Sequence, residues 1–406
     1  MTMKNKLARA LLPAAFAVAA SASVISTASA DEVKFGALYP LSGPLALLGE
    51  ESFRGLEIAV EEINANGGVQ GMQVVLAGGD AVDNNQAIGE ARRLISRENV
   101  AGIFGTYASS RSIAASQVTE LAGVPYFELG AVAHEITNRG FENMYRTNPT
   151  ARHMARTHID MLLEAVAPAL GRDATDLRIG IIHEDSNYGS SVASFQELYG
   201  EEAGLNIVMV EGYPASNVDM SSIVLRLRDR DVDIVMQTSY QDDSILFLRQ
   251  ANERGFRPAA IIGGGGGYSM MPTAEAVGFD VIEGVLNADF TQYLVNDGFA
   301  VGVNEFVEAY RAKYGSDPRS GHSLNNYAGA KVILEALDQV EGFTPDTIRE
   351  ALMAVEIPAG TTSVGYGVKF ADNGQNDAAF MMGMQWRDGQ LITVYPPDAA
   401  IADLEL

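Results

Sequence analysis

Gly105-Thr106-Tyr107-Ala108-Ser109-Ser110-Arg111-Ser112 follows the apolar run Val100-Ala101-Gly102-Ile103-Phe104 and leads into the helix-like stretch Ile113 to Leu121. A buried strand therefore ends in a loop rich in glycine and hydroxyls, and that loop opens a helix. At such a junction free backbone N–H groups and the positive end of the helix dipole face whatever sits there. In open α/β sheets ligands bind in the crevice beyond the carboxyl ends of the strands. The loop is thus a candidate holder for the polar, anionic end of a small ligand. The alternative is an ordinary strand–helix turn whose serines cap the helix.

The pattern around this stretch repeats. Val33 to Leu38 reads as a strand, Ala46 to Asn64 as a helix, Met72 to Ala77 as a strand and Gln86 to Glu98 as a helix. Asn66-Gly67-Gly68 supplies a helix stop. Val124 to Glu128 is the next strand, ending in Leu129-Gly130-Ala131. Alternating strands and helices with short connections predict a parallel, doubly wound sheet. Met144-Tyr145-Arg146-Thr147-Asn148-Pro149 carries a proline break and reads as a crossing to a second lobe.

The alternation then restarts. Strands are expected at 178–183, 205–211, 233–237, 259–262 and 281–286, with helices at 151–166, 192–203 and 219–230. Asn287-Ala288-Asp289-Phe290 reads as a crossing back. Helices at 302–314, 322–337 and 345–355 complete the first lobe, and strands at 364–370, 380–386 and 391–394 end the chain. The expected division is 31–147 plus 290–360 for one lobe and 148–289 plus 361–406 for the other. Two such lobes linked by three crossings make a hinged clamshell, a geometry that closes around ligands.

Composition narrows the function. Lys4, Lys6 and Arg9, an apolar run from Ala10 to Ala20 and Ala28-Ser29-Ala30 before Asp31 read as a signal peptide cleaved after Ala30. No later stretch approaches the roughly 20 apolar residues of a membrane span. The chain has no cysteine, which excludes disulfides, thiolate metal sites and a lipid anchor on an N-terminal cysteine. These features point to free diffusion in a bacterial periplasm. The net charge of −24 opposes nucleic-acid binding, which needs clustered Lys and Arg.

Catalytic motifs fail on inspection. Gly263 to Gly267 gives no G-x-G-x-x-G frame, and no Gly-Lys pair exists for a phosphate loop. No G-x-S-x-G elbow is present. Position 138 is Asn where the zinc-protease pattern begun by His134-Glu135 needs histidine. His183-Glu184-Asp185 reads more simply as a solvated loop than as a metal site. Tyr107, Tyr188, Tyr240 and Tyr268 all fall in expected strand exits. An aromatic body with a polar tip suits a small organic ligand.

Leu41-Ser42-Gly43-Pro44, Ala65-Asn66-Gly67-Gly68-Val69-Gln70-Gly71, Ser109-Ser110, His183-Glu184-Asp185-Ser186-Asn187-Tyr188-Gly189 and Leu248-Arg249-Gln250-Ala251 together carry a resemblance. In this order they resemble the periplasmic binding proteins of branched-chain amino acid ABC transporters, over essentially the whole chain after residue 30. The resemblance implies a type I periplasmic binding fold and a soluble receptor that hands a small molecule to an inner-membrane permease. It implies no enzyme activity, no cofactor and no metal, with a monomer as the default.

For the site, the resemblance implies that Ser109, with Ser110 and Tyr107 beside it, holds the ligand carboxylate and that backbone at Gly130 assists. Tyr188 and Tyr240 then close from the second lobe. Three positions depart from the family pattern. Leu48 replaces an aromatic, Val132 replaces a threonine, and Gly265 stands where the family has the glutamate that pairs with an α-ammonium. Glu128, Asp185 or Asp242 could supply the missing acid. Otherwise the ligand is an amide, a urea-like molecule or an aromatic carboxylate. A sensing subunit for a signalling receptor would use the same pocket.

Overall fold

In the computed structural model, which describes residues 31–406, five parallel strands form the first sheet. They are β1 (Glu32–Tyr39), β2 (Gln73–Asp80), β3 (Ile103–Gly105), β4 (Tyr126–Glu128) and β5 (Met144–Arg146), in the order β2-β1-β3-β4-β5. Successive side chains alternate between two cores, as the period of a strand requires. Phe35, Ala37, Tyr39, Phe104 and Phe127 pack with Leu56 and Ile333 of the helices Ala46–Ala65 and Gly321–Leu337. Leu38, Ile103 and Tyr126 enter the opposite core with Ala87, Leu94 and Ala115. A parallel sheet buried on both faces needs helices on both, and the near-continuous apolar strands reflect that.

The second sheet repeats the plan with β6 (Arg178–Glu184), β7 (Asn206–Tyr213), β8 (Ile234–Thr238), β9 (Ala260–Gly264) and β10 (Leu286–Asp289), all parallel. Its strands also face two ways, with Val235 in one core and Ile234 and Met236 in the other. After β11 (Glu356–Ile357) and β12 (Val368–Lys369) pair with each other, the chain returns as β13 (Met382–Arg387) and β14 (Gln390–Tyr395). These last two run antiparallel, giving the order β14-β13-β10-β9-β8-β6-β7. The second sheet is therefore mixed at one edge rather than wholly parallel.

Each sheet reverses its strand order once. The chain lays β2 on one side of β1 and then β3 on the other, and it lays β7 and β8 on opposite sides of β6. The crevices of a doubly wound sheet open at these reversals. They lie at the exits of β1 and β3 and at the exits of β6 and β8.

Several boundaries differ from the sequence expectation. Residues 144–146, expected as part of a crossing, pair with Tyr126–Glu128 as an edge strand, and the proline break comes only afterwards. The helix expected from Val192 starts at Asn187, so Tyr188 lies in its first turn. Phe279–Ile282 is a helical turn, and the strand falls later, on Leu286–Asp289. Short apolar runs do not separate a helical turn from a strand. Of 364–370 only Val368–Lys369 is strand, and the residues just after it, 374–376, lie along the first sheet rather than the second: Arg146 N donates to Gly374 O at 2.8 Å, and Asn376 N donates to Arg146 O at 2.9 Å. The basic start, apolar run and cleavage motif lie outside the described residues. No described helix is long and apolar enough to cross a membrane.

Candidate functional site

The exit of β3 is shaped by close backbone approach. Gly105 has φ +145°, and a Cβ there would sit 2.1 Å from the carbonyl oxygen of Leu38, so only glycine fits beside β1. Tyr107 follows with φ +122°, a conformation that costs a side-chain-bearing residue roughly 1–3 kcal/mol and that gathers at ligand sites. The following helix runs Ser109–Ala122, and its N-cap is Ala108, which offers no capping side chain. The serines therefore do not cap it. Ser109 Oγ accepts from Ala133 N at 3.1 Å, which leaves its proton free to donate. Ser112 donates to Glu128, and Ser110 is half-buried outside the cavity.

Glu128 holds the next exit together. One carboxylate oxygen accepts from the N–H groups of Leu129, Gly130 and Ala131 at 3.1, 2.8 and 2.7 Å, and the other from Thr106 N at 3.1 Å and from Ser112. Arg146, fully buried, donates to the carbonyls of Ala131 and Ala133 at 3.2 and 2.7 Å. Burial pushes Glu128 up to about 7 against these donors, and burial lowers Arg146 to about 10. Glu128 thus organises the loop and does not line the cavity. It is not a candidate ammonium partner, and the N–H of Gly130 points at Glu128. Leu48 is buried behind the wall, in the same apolar cluster as Tyr107 and Val132, and likewise does not line the cavity.

The second sheet contributes from its own reversal. Glu184 ends β6 just before the helix Asn187–Glu202, whose N-cap is Ser186. Its carboxylate accepts from Ser186 N at 2.8 Å, Ser186 Oγ at 2.7 Å and Gly189 N at 2.6 Å. The His183-Glu184-Asp185 stretch is therefore a strand end and helix start. Among the described residues, no cluster of three or more His, Asp or Glu is placed to hold a metal. The cap fixes Tyr188, whose hydroxyl donates to Gly264 O at 2.7 Å. Tyr240, at the N-cap of the helix Gln241–Glu253, lies beside it with ring centroids 5.3 Å apart, and 6.3 Å from Tyr107. Gly265 has φ +77°, and a Cβ there would lie 2.0 Å from the Tyr188 hydroxyl. Tyr188 occupies the space that a side chain at 265 would need.

These two reversals enclose one small cavity of about 20 Å³. Of the residues singled out in the sequence, Tyr107, Ser109, Gly130, Val132, Tyr188, Tyr240 and Gly265 line it. Met154, Gly266, Asp289, Phe290 and His322 line it as well and were not singled out. Asp185 and Asp242 are exposed and outside it. Asp289 and Phe290 stood in the expected crossing, so an acid in a segment that must pass the cleft was the available signal. The cavity holds about one water, so a larger molecule is admitted only when its walls separate. A larger hollow of about 510 Å³ lies at the amino ends of β9 and β10, among Ala260, Val285, Gln385 and Arg387, away from both crevices.

A model of the periplasmic binding protein family matches residues 32–390. A Leu/Ile/Val-binding protein homolog 8 of Brucella abortus (strain 2308) is 63% identical over 399 residues, covering 98% of this chain and 99% of that one. A Leu/Ile/Val-binding protein homolog 7 of Brucella suis is 63% identical over 392 residues, covering 97% and 98%. The fold is similar to that of a leucine-binding protein of Thermotoga maritima, with TM-score 0.77 at 22% identity over 89% of this chain and 97% of that one. It is also similar to a branched-chain amino acid transporter substrate-binding protein of Streptococcus pneumoniae in complex with isoleucine, with TM-score 0.78 at 20% identity over 90% and 100%.

Proposed function

Because this chain belongs to the periplasmic binding protein family, we propose that it is the solute-binding component of an ABC importer, taking a branched-chain or similar hydrophobic amino acid between two lobes. The observation that carries this reading is the convergence of both strand-order reversals on one small cavity with a free serine hydroxyl and three tyrosines. The carboxylate is received by the Ser109 hydroxyl and the uncapped start of its helix. The aliphatic side chain lies against Val132, Met154 and the tyrosine rings. No bond is made or broken.

The lobes are 31–147 plus 290–360 and 148–289 plus the end of the chain, with 361–376 riding on the first. Ligand binds between parted lobes and favours the closed state, since only differential affinity shifts that equilibrium. The closed form then meets an inner-membrane permease. We place the protein in the periplasm as a monomer.

Thermal unfolding of the purified chain with leucine, isoleucine, valine, small amides and aromatic carboxylates tests the ligand class. A true ligand at one hundred times its Kd adds about 2.7 kcal/mol of stability. A response to the aliphatic amino acids alone supports the reading. A flat response to them, or a response to amides or aromatic acids instead, overturns it.

A further inference from the structure

The cavity contains a carboxylate with an unused oxygen. Asp289 ends β10, where the chain passes from the second sheet toward the first, and it is 1% exposed. One oxygen, Oδ2, accepts from Ser269 Oγ at 2.6 Å and lies 3.8 Å from His322 Nδ1. The other, Oδ1, has no hydrogen-bond partner among the described residues. A buried carboxylate oxygen without a donor is costly, and such groups are paired when the site is complete.

The titratable group nearest to it is His322, whose imidazole burial lowers below its usual range while Asp289 raises it. Asp289 itself is raised by burial, against His322 and the Ser269 hydroxyl. The neighbouring walls are aromatic: Tyr107 lies tilted and Phe290 edge-on to His322, with centroids 5.0 and 4.8 Å from it. A carboxylate oxygen without a donor in an aromatic-walled cavity suits a compact cationic donor better than a second apolar group.

We propose that Asp289 is the specificity-determining residue for the ligand's ammonium group, which it receives on Oδ1 from the crossing segment rather than from the loop after β9. This rests on the amino-acid reading above. Gly265 cannot carry the acid, because Tyr188 fills its space, and Glu128 is consumed by backbone donors. The charge therefore reaches the ligand from the segment that joins the two sheets. An ammonium bound there bridges the hinge and the carboxylate held at Ser109.

Titration calorimetry on the parent protein and Asp289→Asn tests this with two probes, leucine and 4-methylpentanoate, which keeps the carbon skeleton and carboxylate but lacks the amine. The expected result is a loss of about tenfold or more for leucine in the variant, with 4-methylpentanoate affected equally little in both proteins. Leucine held equally by both overturns the assignment and leaves the amino-acid reading standing. An equal loss for both probes also overturns it, since that marks a structural role. A parent protein that binds none of leucine, isoleucine and valine overturns the reading and the assignment together. Should the Asn variant melt below the parent, Asp289→Ser carries the same comparison, and a folded Ser variant with parental leucine affinity overturns the assignment.

Discussion

Single residues in this molecule divide into those that face the cavity and those that hold the facing ones still. Ser109 faces it with a free proton, so Ser109→Ala should weaken ligand binding by about 1–3 kcal/mol if the hydroxyl meets a carboxylate. Calorimetry with unchanged affinity would reject that anchor. Glu128 holds, and its five donors are all buried. Glu128→Gln puts an amide N–H against backbone N–H groups and should cost about 2–3 kcal/mol in urea unfolding.

Asp243 carries a pH signature. Its Oδ2 accepts from Tyr213 at 2.8 Å, Oδ1 has no partner among the described residues, and burial pushes the carboxyl up to about 8. A carboxyl raised on folding makes the folded state bind more protons than the unfolded one, so its contribution falls as pH rises from about 4 to about 8. His153 and His158, lowered by burial to about 4, act oppositely but only below about 6.5. Stability should therefore decline between pH 6.5 and 8, with Glu128, raised to about 7, contributing at the lower end of that window. Unfolding midpoints at those two pH values should draw together in Asp243→Asn; an unchanged slope would place its origin elsewhere.

At the scale of elements, helix starts decide where aromatic side chains stand. Glu184 takes three donors at the head of the helix Asn187–Glu202 and so fixes Tyr188 in its first turn. Glu184→Ala leaves the donors of the Ser186 cap and Gly189 without their carboxylate, should lower stability by about 1–3 kcal/mol, and should weaken ligand binding in parallel. A variant that loses stability yet binds normally would separate the cap from the site. The sequence hides this start, because Asn187, Tyr188, Gly189 and Ser190 have no apolar spacing and read as loop. The same reason explains Met144–Arg146: three residues are too few for a period, and only pairing with β4 makes them a strand.

For the whole molecule, the size of the cavity is the controlling fact. About 20 Å³ admits no amino acid without separation of its walls. Small-angle scattering should therefore show a more extended molecule without ligand and a more compact one at saturation. Identical profiles would reject hinge closure as the mode of capture. The strand-order reversals explain why the cleft lies where it does, since each sheet opens only at its own reversal and the two openings face one cavity.

The sequence by itself determined that this is an α/β chain with two repeated βα halves, because apolar runs, glycine stops and short connections are local signals. It also determined the loop at 105–112 and the tyrosines at strand exits, because exits follow from where strands end. Only the tertiary structure decided which acid faces the cavity. Glu128 and Asp289 are both buried acids at strand ends, and the residue type is silent about whether backbone N–H groups or a cleft surround the carboxylate. Five donors converge on Glu128, whereas Oδ1 of Asp289 meets none among the described residues. That difference arises from how β4 turns into its own loop while β10 ends at the crossing. No one-dimensional pattern encodes such a convergence, because the groups that satisfy or spare a carboxylate come from segments distant in the chain.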